Sequence, residues 1–331
     1  MAREDALNAL TSDANRDINF SVGALLRERA ARDDWRDSVI LQQLESGRNL
    51  GGWNDLFRRT REALADPDSL PRKAAIVLNP QSPSFDEALE DFVAELLAVL
   101  YLAALGHADI RFVVGDQRAP DLTSVHEHIS YATEVKNLRE PRTLSYVAFA
   151  RWHRNRAAQP DVFNFSVSFL EIDDPFEDLT AQQATGVQEL VDGLPERQRP
   201  STFVVTLPGN RRVRVRVVEG DAHMMRHGPG PFLVEPIVEE CKQAVVLKLL
   251  EHSRKALTQL YFADVPEDTR KLLFVRWKPP DEIAAIGEAT TVRDAVAQHF
   301  EAFFREFFPN LAITIMHTLE DPADAPRPNW G

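Results

Sequence analysis

Three polar residues within residues 120–136 are spaced for chemistry: Pro120-Asp121, and then Glu134-Val135-Lys136. They stand in short β-branched or apolar runs bounded by turn residues, which is the pattern of strands, so Asp121 opens one strand and Glu134 and Lys136 lie on the next. Side chains alternate across a strand, which puts Glu134 and Lys136 on one face and Val135 on the other. Two carboxylates brought together by neighbouring strands offer hard oxygen to Mg²⁺ or Mn²⁺, whose shell is completed by water and substrate phosphate. A lysine two residues from such a ligand can orient or deprotonate the attacking water and offset charge on a pentavalent phosphorane. The chemistry that such a set supports is phosphodiester hydrolysis.

A fourth candidate stands on a helix upstream. Residues 92–105 read FVAELLAVLYLAAL, with Glu95 the one charged residue among them. A helix apolar on nearly every side is buried, and a carboxylate buried with it costs several kcal/mol unless a cation answers it. The alternative is that Glu95 lies near enough to the helix start to meet the positive end of the dipole and to reach solvent. The start is marked by Ser84-Phe85-Asp86-Glu87, a capping box in which Ser84 and Glu87 satisfy each other's free amides. The stop falls at Gly106, suited to the left-handed turn after a helix.

Around this centre the remaining elements follow in order. Strands are expected at 110–114, 121–125 and 129–136, then at 162–172, with a hairpin of 202–207 and 212–218 across Pro208-Gly209-Asn210. A long helix is expected over 235–262, a strand over 271–277, a helix over 292–308 and a strand over 311–317. This order is that of an α/β sheet with helices on its faces. Residues 1–75 read as a charged helical region, with segments at 22–32 and 53–65 separated by Gly51-Gly52 and closed by Pro67 and Pro71. No chemistry is visible there; its expected role is to pack on the core or to contact a partner. Residues 139–234 form a β-rich insertion, and 320–331 a proline-rich, frayed tail.

On these residues the chain resembles the PD-(D/E)xK nuclease superfamily, the restriction-endonuclease-like fold. The likeness rests on Pro120-Asp121, on Glu134-x-Lys136 in the strand after it, on a preceding helix with a glutamate at Glu95, and on the order of helix, three-strand meander, helix and strand. The resemblance implies a nuclease core over 76–138 and 235–319. It further implies that Asp121 and Glu134 bind Mg²⁺ or Mn²⁺, that Lys136 is the catalytic lysine, and that Glu95 is an auxiliary acidic ligand. The insertion after the third strand departs from members that turn straight into the next helix, which puts Lys255 and Gln259 in doubt as site-facing residues. Pro67-Asp68, Pro160-Asp161, Pro280-Asp281 and Glu240-Cys241-Lys242 repeat fragments of the motif. Only the set at 121 and 134–136 combines consecutive strands with a capped apolar helix before them.

Two cationic stretches could track a phosphate backbone. Arg212, Arg214 and Arg216 alternate with valines along a strand, and could equally be a solvated sheet face. The second stretch, Arg139 to Arg156, includes Arg142, Arg151 and Arg154 and begins beside the proposed site. His223 and His227 have metal-site spacing but lack a third ligand, and read as loop residues. Phe300, Phe303, Phe304, Phe307 and Phe308 read as the core face of an amphipathic helix.

The bulk composition limits these readings. The 331 residues are 44% hydrophobic and 27% charged, as in ordinary globular proteins. The lone cysteine excludes a disulfide framework and a cysteine zinc site, so a catalytic metal would rest on oxygen or imidazole. No apolar run reaches the ~18 residues needed to span a bilayer and no secretory leader is visible, from which a cytoplasmic protein is expected. The net charge of -13 argues against indiscriminate coating of nucleic acid. The expected function is a metal-dependent nuclease acting on DNA, or on RNA, in a defence, repair or mobile-element setting. The competing reading is a nuclease-like fold without catalysis, used as a binding or assembly module. Partners left open are a protein docking on the N-terminal helices and a second copy of the chain, as a homodimer.

Overall fold

A computed structural model describes residues 2–32, 34, 38–46, 50–114, 119–138, 165–172, 201–207, 211–219, 231–261, 265–280, 283–284, 287–308 and 310–330. The N-terminal region forms helices α1 (Ala2–Leu10), α2 (Arg16–Ala30), α3 (Val39–Ser46), α4 (Leu50–Ala63) and α5 (Ser69–Val77), followed by α6 (Phe85–Ala104). Strands β1 (Ala108–Phe112), β2 (Leu122–His126) and β3 (Ile129–Leu138) come next, then β4 (Phe165–Ile172), β5 (Ser201–Leu207) and β6 (Arg211–Glu219). The chain continues with α7 (Pro231–Tyr261), β7 (Arg270–Trp277), α8 (Ala289–Phe307) and β8 (Leu311–His317). Among the described residues, no helix is long and apolar enough to cross a membrane.

The fold is α/β, with a five-stranded mixed sheet in the order β1-β2-β3-β7-β8. Contacts divide the described chain into two compact units. The first comprises residues 1–137, 252–276 and 299–331 and holds this sheet up to Asn137 and Arg276. The second comprises residues 138–251 and 277–298 and holds a three-stranded sheet in the order β4-β6-β5.

In the first unit α6 is the organising element. Phe92, Leu96, Val99 and Leu102 share a cluster with Leu122 and Val135 of the meander and with Leu272 and Phe274 of β7. Each such side chain contributes on the order of 1.5–3 kcal/mol when fully buried. Gly106, at φ +84°, ends the helix: its amide donates to Ala103 O and that of His107 to Leu102 O, the paired bonds of a Schellman turn. The start differs from the expected capping box. Ser84 makes no side-chain bond to the helix amides; its hydroxyl pairs instead with that of Ser82, at 2.8 Å. A type of residue suited to a cap thus bonds within the preceding turn instead, where the Ser84 amide also donates to the Ser82 hydroxyl.

The meander is antiparallel, with Leu122 opposite Thr133 and His126 opposite Ile129. Its β2–β3 turn is the two-residue type that suits the right-handed twist of strands, although Glu127 and His128 hold positive φ (49° and 67°) without a glycine. Continuing the register by one residue sets Asp121 opposite Glu134.

The N-terminal helices join the same core, with Leu10, Ile18, Leu26, Phe57 and Leu70 in its cluster, and Ala65 N bonds Ile110 O at the edge of β1. Gly51 and Gly52 do not separate helices but lie in the first turn of α4, and Pro71 does not close a helix but sits in the first turn of α5, where a missing amide breaks no bond. The tail makes contacts with the first unit. Tyr101 Oη donates to Pro326 O at 2.6 Å, Ala325 is buried, and Trp330 packs edge-on against Tyr131 under the guanidinium of Arg270. Of the phenylalanines, Phe300 and Phe304 are core, whereas Phe303 and Phe307 are exposed (43% and 57%), since their helical spacing turns them to the far side of α8. Val292 and Val296 complete its buried stripe.

Candidate active site

Four titratable side chains singled out in the sequence meet in the first unit, together with one that was not. Asp121 leaves the chain just before β2, its carbonyl accepting from Val113 N across to the β1 side. Its Oδ2 accepts from the amide of Val135 at 2.8 Å, so the carboxylate is fixed to β3 at the residue between Glu134 and Lys136. Glu134 is fully buried; one oxygen receives the ammonium of Lys136, and the other, Oε2, is buried with no hydrogen-bond partner. Lys136 Nζ also reaches Gln259 Oε1 of α7 at 3.4 Å. Past Lys136, the strand is tied down by Asn137, whose amide donates to Asp91 of α6 and whose oxygen accepts from Arg276 of β7.

Glu95 is answered by a cation from an unexpected place. Lys73 of α5 stands 2.9 Å from Glu95 Oε2 and 3.9 Å from Asp121 Oδ1, with only 8% of its side chain exposed and the ring of Phe112 nearby. Sequence reasoning saw no chemistry in residues 1–75, yet a signal was there. Leu70 and Ala74 flank Lys73 on one helical face, and a lysine on the apolar stripe of an amphipathic helix needs a buried partner. The opposite alternative, a Glu95 reaching water at the helix start, is replaced by this ion pair.

Electrostatics follow from the burial. Desolvation, and then the charge of Asp121, push the carboxyl groups of Glu95 and Glu134 well above the usual range, against the opposing pull of Lys73 on the first and Lys136 on the second. Both glutamates are therefore short of positive charge even with a lysine apiece. Among the described residues, no three His, Cys, Asp or Glu side chains stand close enough together to hold a metal ion, and the lysines occupy the space between the acids. Asp121 and Glu134 nevertheless fit a hard divalent ion: both are oxygen donors fixed on one stretch of β3, and the orphaned Glu134 Oε2 is an acceptor with its lone pairs unused.

The other candidates fall out as follows. Gln259 touches the site, whereas Lys255, one turn earlier on α7, is exposed. Asp68 and Glu240-Cys241-Lys242, which repeat parts of the motif, flank or lie on helices, with Cys241 buried and Lys242 paired to Glu239. Arg212, Arg214 and Arg216 lie on β6, which is more than half of a hairpin: it is the central strand, pairing Arg216 with Thr202 of β5 on one side and Phe169 of β4 on the other. Arg142, Arg151, Arg154, Arg156, His223 and His227 lie outside the described residues.

No protein-family model matches the chain, and no significant match is found among curated proteins or solved structures.

Proposed function

We propose that the chain is a Mg²⁺- or Mn²⁺-dependent nuclease that hydrolyses DNA phosphodiester bonds within a restriction-endonuclease-like core. The observation that carries this reading is the Asp121 carboxylate bound to the Val135 amide beside a buried Glu134 with one oxygen unpartnered. In it, Asp121 and Glu134 hold the ion, with Glu95 behind them. The ion, when bound, supplies Lewis acidity to a phosphate oxygen and lowers the proton affinity of water. Lys136 has three ammonium hydrogens; Glu134 and Gln259 take two, and the third is left to orient water or meet phosphate charge. Order in this lysine is what the reaction gains from burying its partners. The test is cleavage of supercoiled plasmid and of single-stranded DNA, with Mg²⁺, Mn²⁺ or chelator, by wild type and Lys136→Ala. Ion-dependent cleavage lost in the variant is expected; chelator-resistant cleavage, or none, speaks against the reading.

A second reading, a nuclease-like binding or assembly module, is favoured by the net charge of -13 and by lysines already occupying the acids. It predicts retained nucleic-acid or protein binding with no cleavage under any ion.

A further inference from the structure

The geometry points to Lys73 as a resident cation that takes the place of a second metal ion, so that the site works with a single divalent ion between Asp121 and Glu134. This rests on the nuclease reading above. Three carboxylates converge here, Glu95, Asp121 and Glu134, and two of them have a lysine ammonium in contact. At this site, among the described residues, it is Lys73 that reaches two carboxylates distant in sequence, 2.9 Å from Glu95 and 3.9 Å from Asp121. A hard cation bridging those two acids would have to sit where its ammonium sits. Lys73 is not a removable lid over that place: its side chain is buried, and its backbone lies in the middle of α5, whose Leu70 and Ala74 are fully enclosed.

Charge balance selects the same stoichiometry. A bound cation favours the ionised form of all three carboxylates, which against two ammonium groups leave one negative charge. One divalent ion turns this into a single positive charge, which the monoanionic phosphodiester of a substrate neutralises. A second divalent ion would leave the closed site strongly positive, in surroundings where burial makes unbalanced charge expensive. Glu95 accordingly belongs to Lys73 rather than to the metal, and the second acceptor the metal uses is the unpartnered Oε2 of Glu134. Lys73 is thus a positioning residue that fixes Glu95 and one side of Asp121, and its role is read in ion stoichiometry rather than in rate.

The experiment is calorimetric titration of the metal-free protein with Mn²⁺, checked by equilibrium dialysis, on wild type, Lys73→Met and the double variant Lys73→Met/Glu95→Gln. Wild type is expected to bind one Mn²⁺ per chain. Lys73→Met vacates the position between Glu95 and Asp121 and is expected to take up a second ion, and removing the charge of Glu95 in the double variant returns the count to one. Two ions in wild type, or one ion with unchanged affinity in a folded Lys73→Met, overturns the assignment while leaving the nuclease reading intact. Absence of Mn²⁺ binding in all three proteins overturns both. Should Lys73→Met fail to fold, the count in wild type still decides, and the double variant, which leaves no lone charge behind, supplies the second measurement.

Discussion

The two carboxylate–lysine pairs of this site are built in opposite ways. Glu134 and Lys136 share one face of one strand, so their pairing is settled by two positions of sequence, and the strand only has to be buried. Glu95 and Lys73 come from two helices packed together, and neither residue's neighbours in the sequence identify the other. The strand pair keeps one carboxylate oxygen unpartnered and has Gln259 alongside; the helix pair is closed over by Phe112 and the core around α5 and α6. The difference teaches a division of labour: the strand pair keeps a buried acceptor unsatisfied, whereas the helix pair is enclosed in the core that holds the fold together.

Breaking the helix pair is expected to have the largest effect on stability. Lys73→Met strands a buried carboxylate and should cost about 3–5 kcal/mol, while Lys73→Met/Glu95→Gln recovers most of it. Thermal and urea melts of both variants check this; equal losses in single and double variants would mean that packing, and not charge, is at stake.

Breaking the strand pair should act on rate instead. Lys136→Ala is expected to lower cleavage on the order of 10²–10³-fold, the usual cost of losing one preorganised donor. Its melting temperature should fall less than that of Lys73→Met, because the Lys136 side chain is less enclosed than that of Lys73 (14% against 8% exposed) and removing it disturbs less packing. Lys255→Ala, on an exposed position of the same helix as Gln259, should leave the rate unaltered. A Lys136→Ala protein with the wild-type rate would remove the lysine from the reaction.

Asp121 links the pairs, and its charge contributes to raising both glutamates. A carboxyl group with a folded-state pKa above its unfolded value binds protons preferentially in the folded chain. The metal-free protein therefore loses stability as pH climbs from the ordinary carboxylate range through the raised folded values. Asp121→Asn keeps an oxygen for the Val135 amide but removes the repulsion. The metal-free variant should be at least as stable as wild type near neutral pH, with a shallower decline, and should lack the stabilisation by Mn²⁺ that is expected of wild type. Melts across pH with chelator and with Mn²⁺ decide; a variant that keeps the metal-induced shift shows that Asp121 is no ligand.

The smallest effect concerns the turn that sets the register between Asp121 and Glu134. His128 holds φ 67°, a region that costs a side-chain-bearing residue roughly 1–2 kcal/mol. His128→Gly should therefore stabilise the protein by up to about 1 kcal/mol and leave the metal response intact. Loss of that response would show that the turn does more than connect strands.

Much of the first unit was legible because its signals are local. The apolar run around Glu95, the glycine at 106 and the alternation through Glu134-Val135-Lys136 each fix an element from a few neighbouring residues. The strand over 311–317 and the long helix ending at Tyr261 were legible for the same reason. What stayed hidden depended on tertiary contact. Glu95 announced that it needed a cation, but only packing of α5 on α6 names Lys73. The tail reads as proline-rich and loose, yet Tyr101 and Tyr131 give it hydrogen bonding and aromatic contact that no local pattern contains. Phe303 and Phe307 look like core by composition, and the helix turns them outward.

The hydroxyl of Tyr101 bears on how the chain is made. It sits on the helix that carries Glu95, and its partners, Thr314 and Pro326, are more than two hundred positions later. A ribosome that has already released Lys73, Glu95, Asp121, Glu134 and Lys136 has therefore supplied every charged member of the site but not the last strands and the segment that lock its central helix. During that interval α6 exposes an apolar side to chaperones and proteases, the situation in which long-range contacts delay completion. Nascent chains stalled near residue 262 should accordingly be cut within α6 by a protease that leaves the same bonds untouched once residues 311–330 have emerged.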